Sequence, residues 1–158
     1  MEKKKQGIVR DDNVNAAEMA KMVLEKSGLY SVKMRAPEKK AILIVDDNVH
    51  ASQMAKAILE TTDLYKVTVC NRGSTAFKIV QDTQPELVLL DIVMPDADGT
   101  EIASRIKKDK SLASIGIIFM TALVDQKQAQ VAGHSFIAKP ISGEILLKRV
   151  KGFFDSKR

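Results

Sequence analysis

Residues 87–99 read LVLLDIVMPDADG, an apolar run that ends at a carboxylate and passes into a loop of proline, aspartate and glycine. An unbroken apolar run of this kind is typical of a strand buried on both faces, as strands are in a parallel sheet covered by helices. Residues 41–47 repeat the pattern with AILIVDD, a second apolar run that ends in two carboxylates. The sequence therefore predicts a parallel sheet with acidic groups at the ends of its strands.

From residue 41 onward, strand-like segments alternate with segments whose apolar residues recur at helical spacing. Such alternation predicts an α/β fold in which right-handed crossovers place helices on both faces of the sheet. Met54 in the first of these helices and Ile145 in the last are expected to face the core. The predicted strands are 41–45, 66–70, 86–91, 115–121 and 135–139, and the predicted helices are 51–59, 74–81, 99–108, 125–131 and 143–154.

The composition excludes several classes of protein. The chain has 158 residues, 45% of them hydrophobic and 28% charged, which is ordinary for a globular domain. Its single cysteine, Cys70, has no partner for an internal disulfide, so a reducing, cytoplasmic setting is expected. No apolar run approaches the ~20 residues of a membrane span, and no export signal is expected. The net charge of +5 comes without a helix-turn-helix, zinc-finger or aromatic–basic pattern, so nucleic acid is not an expected partner.

The beginning of the chain contains a second copy of part of the main domain. When the chain is shifted by 35 positions, residues 11–32 are identical to residues 46–67 at 13 of 22 positions. This density of matches predicts a partial duplication of a strand–helix–strand unit. The expected division is an N-terminal arm at 1–37, a degenerate duplicate of 39–70, followed by a main domain at 38–155 and a tail at 156–158.

The two copies are not equivalent. The stretch QGIVR at residues 6–10 aligns with AILIV at residues 41–45, and burying its glutamine and arginine in a central strand would be costly. The arm nevertheless keeps an apolar helix face that needs a covering surface, formed by Ala16, Met19, Ala20, Val23 and Leu24. Two interpretations stay open. The arm is either a surface-docked or loosely ordered appendage, or a segment that packs on another subunit or on its own domain and modulates assembly.

Four of the five predicted strands end in polar groups, and the carboxyl ends of parallel strands meet at one edge of a sheet. These groups are Asp46 with Asp47, Asp91, Thr121 and Lys139. Three converging carboxylates repel one another unless a cation is present, and an all-oxygen cluster suits Mg²⁺. With the metal bound, Asp91 can act as a nucleophile toward a phosphoryl group, whose oxygens Lys139 and Thr121 can hold.

In these features the sequence resembles the response regulator receiver family. The resemblance is carried, in order, by residues 42–48, 87–99, 120–122 and 136–140. It implies a flavodoxin-like, doubly wound sheet of five parallel strands in the order 2-1-3-4-5, to which the N-terminal duplicate is added. It also implies that a histidine kinase or a phosphotransfer protein donates a phosphoryl group to the aspartate at the end of the third strand.

The resemblance further implies roles for individual residues. Asp47, Asp91 and the backbone carbonyl of Val93 would bind Mg²⁺, with Asp46 contributing through water. The chain would catalyse only its own phosphorylation and dephosphorylation, and would not act as an enzyme on an external substrate. A downstream protein partner would recognise the phosphorylated surface.

A conformational switch is also implied. Thr121 and Phe136 would be the switch pair, in which the hydroxyl moves toward the phosphoryl group while the ring turns inward; an ordinary core position is the alternative for Phe136. The Lys139–Pro140 peptide would be cis. The helix predicted at 125–131 is shorter than the family usually has by about one turn, ~4 residues, which leaves the mode of output open.

Two alternatives to a stand-alone response regulator remain. The chain could be the receiver portion of a larger hybrid kinase or regulator, because its basic end at residues 148–158 is compatible with a continuing chain. It could instead be a self-assembling scaffold, for example a homodimer formed through the duplicated arm.

Overall fold

The computed structural model describes residues 4–9, 11, 13–34, 38–122 and 135–157. These residues belong to two compact units, Met1–Glu38 and Lys39–Arg158. The helix predicted at 125–131, together with its reduced length, lies outside the described residues. None of the helices in the described ranges combines the length and the apolar character that crossing a bilayer requires.

The first unit is a strand–helix–strand motif with a two-stranded parallel sheet. Strand β1 is Lys5–Val9, helix α1 is Val14–Lys26 and strand β2 is Tyr30–Met34. Asn13 caps α1, because its side-chain oxygen accepts a hydrogen bond from Ala16 N–H at 3.2 Å. The stretch that is too polar for a central strand therefore forms an edge of this separate small sheet.

The second unit is an α/β domain with one five-stranded sheet and a small antiparallel pair of strands. Its strands are β3 (Lys40–Val45), β4 (Tyr65–Cys70), β5 (Leu87–Asp91), β6 (Val93–Met94), β7 (Ala97–Asp98), β8 (Gly116–Thr121) and β9 (Ser135–Ala138). Its described helices are α2 (Val49–Glu60), α3 (Gly73–Thr83), α4 (Gly99–Lys108) and α5 (Gly143–Ser156).

The topology of the main sheet matches the prediction. All neighbouring strands are parallel, in the order β4-β3-β5-β8-β9. When the five main strands of this unit are counted by themselves, the order is 2-1-3-4-5, so the predicted doubly wound architecture is confirmed. The pair β6–β7 was not predicted, because strands of two residues are too short to show an apolar periodicity.

The two strand–helix–strand motifs share their local contacts. The N–H of the first residue of β1 donates to Leu29 O at 3.0 Å, and the corresponding N–H of β3 donates to Leu64 O at 2.9 Å. A glutamate near the end of each helix, Glu25 or Glu60, accepts a hydrogen bond from the backbone of the following strand, at 3.3 and 3.2 Å. The duplication is therefore present in the backbone as well as in the sequence.

Both faces of the central strands are buried, which explains why their sequence is uniformly apolar. Leu43 and Val45 point from β3 into a cluster that includes residues of α3 and α4, whereas Ile42 and Ile44 point into a cluster that includes residues of α2 and α5. All four side chains are at most 1% exposed. The core is thus two apolar layers on either side of one sheet, and polar groups gather at the ends of the strands.

Two residues predicted to face the core are exposed instead. Met54 keeps 41% of its surface in solvent, and Ile145 keeps 46%. An apolar stripe at helical spacing is wider than the surface that the helix presents to the sheet, so residues at its margin reach solvent. Leu59 and Val150, on the same two helices, are fully buried.

We expect Gly116→Ala to destabilise the second unit, because a β-carbon at Gly116 would lie 2.1 Å from Cζ of Phe153 in α5. Overpacking a core costs about 1–3 kcal/mol. Replacing the ring should relieve the clash, so Gly116→Ala/Phe153→Leu should lose less stability than the sum of its two single variants. Urea denaturation of the four proteins measures this coupling, and strictly additive losses would contradict the contact.

Candidate functional site

The carboxyl ends of four strands meet at one edge of the five-stranded sheet. Asp46 follows β3, Asp91 ends β5, Thr121 ends β8 and Lys139 follows β9. The parallel register aligns these ends, since Asp91 lies beside Met120, the residue that precedes Thr121. The structure therefore places the four predicted site residues at the same edge; we call it the acidic edge.

Three carboxylates share the acidic edge. One oxygen from each of Asp46, Asp47 and Asp91 lies within 4.8 Å of the others. Asp46 and Asp91 are buried, with 0% and 6% exposure, whereas Asp47 is exposed. Backbone groups orient the buried pair: Asn48 N–H donates to Asp46 Oδ1 at 2.9 Å, and Val93 N–H donates to Asp91 Oδ1 at 3.3 Å. These two bonds use the Oδ1 atoms, so Oδ2 of Asp46 and Oδ2 of Asp91 are available for other contacts.

Lys139 bridges the two buried carboxylates. Its Nζ lies 2.8 Å from Asp46 Oδ2 and 2.8 Å from Asp91 Oδ2. Burial by itself lowers the pKa of Lys139, but its close contacts with the negative charges of Asp46 and Asp91 outweigh burial, so that pKa is raised above its ordinary value. Lys139 is therefore an ammonium at neutral pH and offsets one of the three negative charges. The Lys139–Pro140 peptide is cis, as expected.

The acidic edge also retains an oxygen that suits a metal ion. Asp46 Oδ2 is fully buried and, among the described residues, has no hydrogen-bond donor; its contact with Lys139 is an ion pair without hydrogen-bond geometry. Buried polar atoms are normally hydrogen-bonded, so an oxygen of this kind is suited to a cation. Asp46, Asp47 and Asp91 form an all-oxygen donor set, which fits a hard divalent ion. The carbonyl of Val93 as a further ligand stays a prediction.

The two predicted switch residues lie on adjacent strands. Thr121 is 1% exposed, and its backbone oxygen accepts a hydrogen bond from Lys139 N–H at 2.9 Å. Phe136 packs partly buried against the core, with its ring centroid 5.4 Å from that of Phe119. The backbone of the first residue is thus tied to the lysine of the acidic edge, and a switching role for the pair stays a prediction.

Asn71, which follows β4, is a positioning residue that sequence reasoning missed. Its Nδ2 donates to the backbone oxygen of Asp46 at 2.7 Å and to Ser52 Oγ at 2.8 Å. These bonds fix the backbone that carries a buried carboxylate. The sequence did contain a signal for this role, because Asn71 is a polar residue at the carboxyl end of β4, the strand that pairs with β3.

Gly99 is a second residue that sequence reasoning missed as part of the site. A β-carbon there would lie 2.0 Å from Asp91 O and 2.9 Å from Ile92 Cα, and neither backbone atom can move aside easily. Gly99 N–H also donates to Ile92 O at 2.8 Å. The start of α4 is thus in direct backbone contact with the strand end that carries Asp91, and this contact requires glycine.

The turn between β6 and β7 anchors the same loop on α3. Asp96 accepts hydrogen bonds from Ser74 N–H at 3.1 Å, from the Ser74 hydroxyl at 2.8 Å and from Gly73 N–H at 3.1 Å. These bonds, those from Ser74 first, lower the pKa of Asp96. They cap a helix whose own N-cap residue, Arg72, makes no side-chain cap. The segment after Asp91 is therefore held by two helices.

A sequence model described as the response regulator receiver domain matches residues 42–151. The chain belongs to the response regulator receiver family. All the residues that the acidic edge brings together lie inside the matched range, so the site and the family assignment concern the same part of the chain.

Two relatives of this receiver are named as regulatory proteins of bacteria. The chain is 34% identical to the phosphate regulon transcriptional regulatory protein PhoB of Pseudomonas aeruginosa over 80 residues, which are 48% of this chain and only 35% of PhoB. It is 29% identical to the polar-differentiation response regulator DivK of Brucella ovis over 85 residues, 51% of this chain and 69% of DivK. The crystal structure of the signal receiver domain of a DNA-binding response regulator from Colwellia psychrerythraea is similar, with a TM-score of 0.67 and 27% identity over 74% of this chain and 99% of that domain.

We expect Gly99→Ala to destabilise the receiver by about 1–3 kcal/mol, because the added methyl group meets backbone atoms. Gly152→Ala is the matched control, since Gly152 lies inside α5 and an added β-carbon would have nothing within 4 Å. Alanine is favoured over glycine in a helix interior by about 0.5–1 kcal/mol, so the control should be at least as stable as the wild type. Urea denaturation gives both values; two variants of equal stability would refute the assigned role of Gly99.

Proposed function

We propose that this receiver accepts a phosphoryl group on Asp91 from a histidine kinase or a phosphotransfer protein in the cytoplasm. The observation that supports this most directly is the contact of the Lys139 ammonium with Asp91 Oδ2, at 2.8 Å in a buried acidic edge. A phosphoryl group approaching three carboxylates would be repelled, and a fixed cation beside the acceptor offsets part of that repulsion.

In the proposed step, a carboxylate oxygen of Asp91 forms a bond to phosphorus while the bond between phosphorus and the donor's imidazole nitrogen breaks. The electron pair of that bond returns to the nitrogen. Lys139 then holds one phosphoryl oxygen with its ammonium, and Thr121 holds another with its hydroxyl. The receiver acts only on itself, in forming this acyl phosphate and in its later hydrolysis, and has no external substrate.

We assign Mg²⁺ as the cofactor of this reaction. Asp46, Asp47, Asp91 and the backbone carbonyl of Val93 would hold the ion, which would supply positive charge against the phosphoryl oxygens. The buried Asp46 Oδ2, without a hydrogen-bond donor in the described part of the chain, supports this assignment.

The output of the receiver is a change in a protein-interaction surface. We assign the switch to Thr121 and Phe136. The ring of Phe136 is partly buried, and it would turn inward when the Thr121 hydroxyl moves toward the phosphoryl group. The hydrogen bond from Lys139 N–H to Thr121 O connects the phosphoryl-binding lysine to the switch strand. A downstream protein would distinguish the two positions of the Phe136 ring, because the surface around the ring differs between them.

Two further candidates each have an observation in their favour. The chain spans only 35% of PhoB, which is compatible with a receiver that is one part of a longer regulator or hybrid kinase. The first unit exposes large apolar side chains, with Ile8 and Val23 at 68% and 67% exposure, which favours self-association through the arm. Both candidates are compatible with phosphorylation of Asp91.

With Mg²⁺ and a small phosphodonor, the wild type should gain the mass of one phosphoryl group, and Asp91→Asn should gain none, because an amide oxygen is a poor nucleophile. Asp82→Asn is the control, since Asp82 is an exposed carboxylate of α3 that pairs with Lys78 at 2.9 Å. Intact-mass spectrometry over time measures the label. Labelling of Asp91→Asn at the wild-type rate would sink the proposal.

Mg²⁺ should raise the Tm of the unphosphorylated receiver. A ligand that binds only the folded state adds about 2.7 kcal/mol of stability at about 100 times its Kd. Asp46→Asn should lose most of this shift, because it removes a negative charge from the metal-binding cluster, whereas Asp82→Asn should keep it. Differential scanning calorimetry with and without Mg²⁺ provides the comparison. Equal shifts in all three proteins would argue against a metal at the acidic edge.

A further inference from the structure

The first unit has an open strand edge and an open apolar helix flank. Among the described residues, β1 pairs with β2 on one side only. Ile8 on β1 is 68% exposed, and Met19 and Val23 on α1 are 68% and 67% exposed. This amount of exposed apolar surface in one small motif is typical of a binding surface.

The second unit shows what covers the corresponding surface in the other copy of the motif. There the free side of the first strand is occupied, since β3 pairs with β5. Ile58, which corresponds to Val23, faces α5, where a β-carbon at Gly143 would lie 3.3 Å from its Cδ1. By comparison, the first unit lacks two neighbours: a strand paired with the free edge of β1, and a helix packed against the flank of α1 that carries Val23.

The two flanks of α1 differ in chemistry, and the difference agrees with this requirement. One flank carries Glu18, Lys21 and Glu25, and Glu25 accepts a hydrogen bond from the backbone of β2 at 3.3 Å. The opposite flank, which corresponds to the side that faces α5 in the second unit, carries Ala16 and Val23. The apolar flank thus lies on the side of the open edge of β1.

We propose that two copies of this chain associate through β1. The two β1 strands pair antiparallel and form a four-stranded sheet in the order β2-β1-β1-β2. A two-fold axis perpendicular to this sheet keeps both α1 helices on one face, with their apolar flanks toward each other. This pairing rests on the self-association proposed for the arm and does not involve the acidic edge.

The hydrogen-bonding groups of β1 allow this pairing. Lys5 N–H donates to Leu29 O, next to β2, so alternate residues from Lys5 bond toward β2 and the N–H and C=O of Gln6 and Ile8 point away from it. In the second unit, Ala41, the counterpart of Gln6, uses its carbonyl in this direction to accept from Glu86 N–H at 2.9 Å. The free edge of β1 therefore presents backbone N–H and C=O groups at the positions where β3 forms hydrogen bonds toward β5.

Charge selects the register. Because Gln6 and Ile8 point outward, a symmetric antiparallel pair is centred on Gln6, on Gly7 or on Ile8. Counted along the sequence, centring on Ile8 brings Lys5 toward the partner subunit's Asp11, which follows β1, and neither of the other two registers aligns these opposite charges. It also places the two exposed isoleucines side by side on the axis.

The spacing of the layers is compatible with contact between the two helices. Helix α1 contacts both strands of its unit, and its contact with β2 is more extensive than that with β1, so it lies above the pair and toward β2. In the four-stranded sheet the two α1 helices are then separated by two to three strand spacings, about 10–14 Å. Helices pack at about 8–10 Å, so Val23 of each subunit points toward the other helix and meets it at the short end of this range.

Cysteine cross-linking of the full chain tests the register directly. In the proposed pair the two Ile8 residues have Cα atoms about 5.5 Å apart, within the range of a disulfide, so Ile8→Cys should form a covalent dimer on mild oxidation. Lys33→Cys is the matched control, because Lys33 pairs with Ile8 on β2 but would lie about 14 Å from its copy. Native Cys70 is buried. No cross-link at Ile8→Cys, or equal cross-linking in the two variants, would overturn the proposal.

Sedimentation velocity over a concentration series tests the surface. Ile8→Pro removes the N–H that points away from β2, and Val23→Glu places a charge on the apolar flank; each should raise the dimer Kd by about tenfold or more. Ile8→Thr, which keeps the N–H, and Val49→Glu, the same change at a 57% exposed valine of the second unit, should stay within about twofold. A wild-type chain that is monomeric at high micromolar concentration overturns the proposal. So does a dimer that survives Ile8→Pro and Val23→Glu but is lost in Val49→Glu, since the second unit would then be the occupant.

Discussion

The contact of Lys139 with Asp46 and Asp91 is the interaction on which the functional edge of this receiver depends. Two carboxylates buried on neighbouring strands would repel each other and carry a large desolvation cost without a cation between them. Lys139 follows β9, which is separated from β5 by β8. Its ammonium must therefore cross about 10 Å of sheet to reach Asp91, which a long side chain at the end of β9 can approach and a short one cannot. With this strand order, the residue after β9 must therefore have a long cationic side chain, as lysine has.

The position of Asp91 is set by the backbone around it more than by side-chain bulk. Gly99 brings the start of α4 within hydrogen-bond distance of Ile92 O, at 2.8 Å, and leaves no room for a β-carbon. Asp96 fastens the same loop to the N-terminus of α3. Asn71, at the end of the neighbouring strand β4, holds the backbone of Asp46 by donating a hydrogen bond to its carbonyl oxygen. None of these three residues contacts an acidic oxygen of Asp46 or Asp91 in these hydrogen bonds, and each restricts where one of those carboxylates can lie.

Sequence reasoning predicted the sheet well because burial on both faces leaves a simple pattern. Ile42 and Leu43 face opposite sides of β3 and are both buried, so an unbroken apolar run was sufficient to identify the strand. The convergence of strand ends followed from the parallel topology alone. The role of Gly99 could not be predicted in the same way, because its contact joins a helix start to a strand end through a loop. The exposure of Met54 was missed because the helical period defines a stripe but not how much of that stripe is covered.

The duplicated motif separates what local sequence determines from what neighbouring elements determine. The strand pairing, the asparagine cap and the glutamate contact recur in both copies, because each is formed within about thirty residues of chain. Burial does not recur: Leu43 is 0% exposed, and its counterpart Ile8 is 68% exposed. For this pair the difference comes from β5, α3 and α4, which cover Leu43 in the second unit and have no duplicate in the first. When association buries apolar surface that folding left exposed, each Å² contributes about 25 cal/mol, from which the cost of bringing two molecules together must be subtracted. In the second unit the burial of this apolar surface stabilises the fold. In the arm the same surface is exposed, so its burial can stabilise a complex instead.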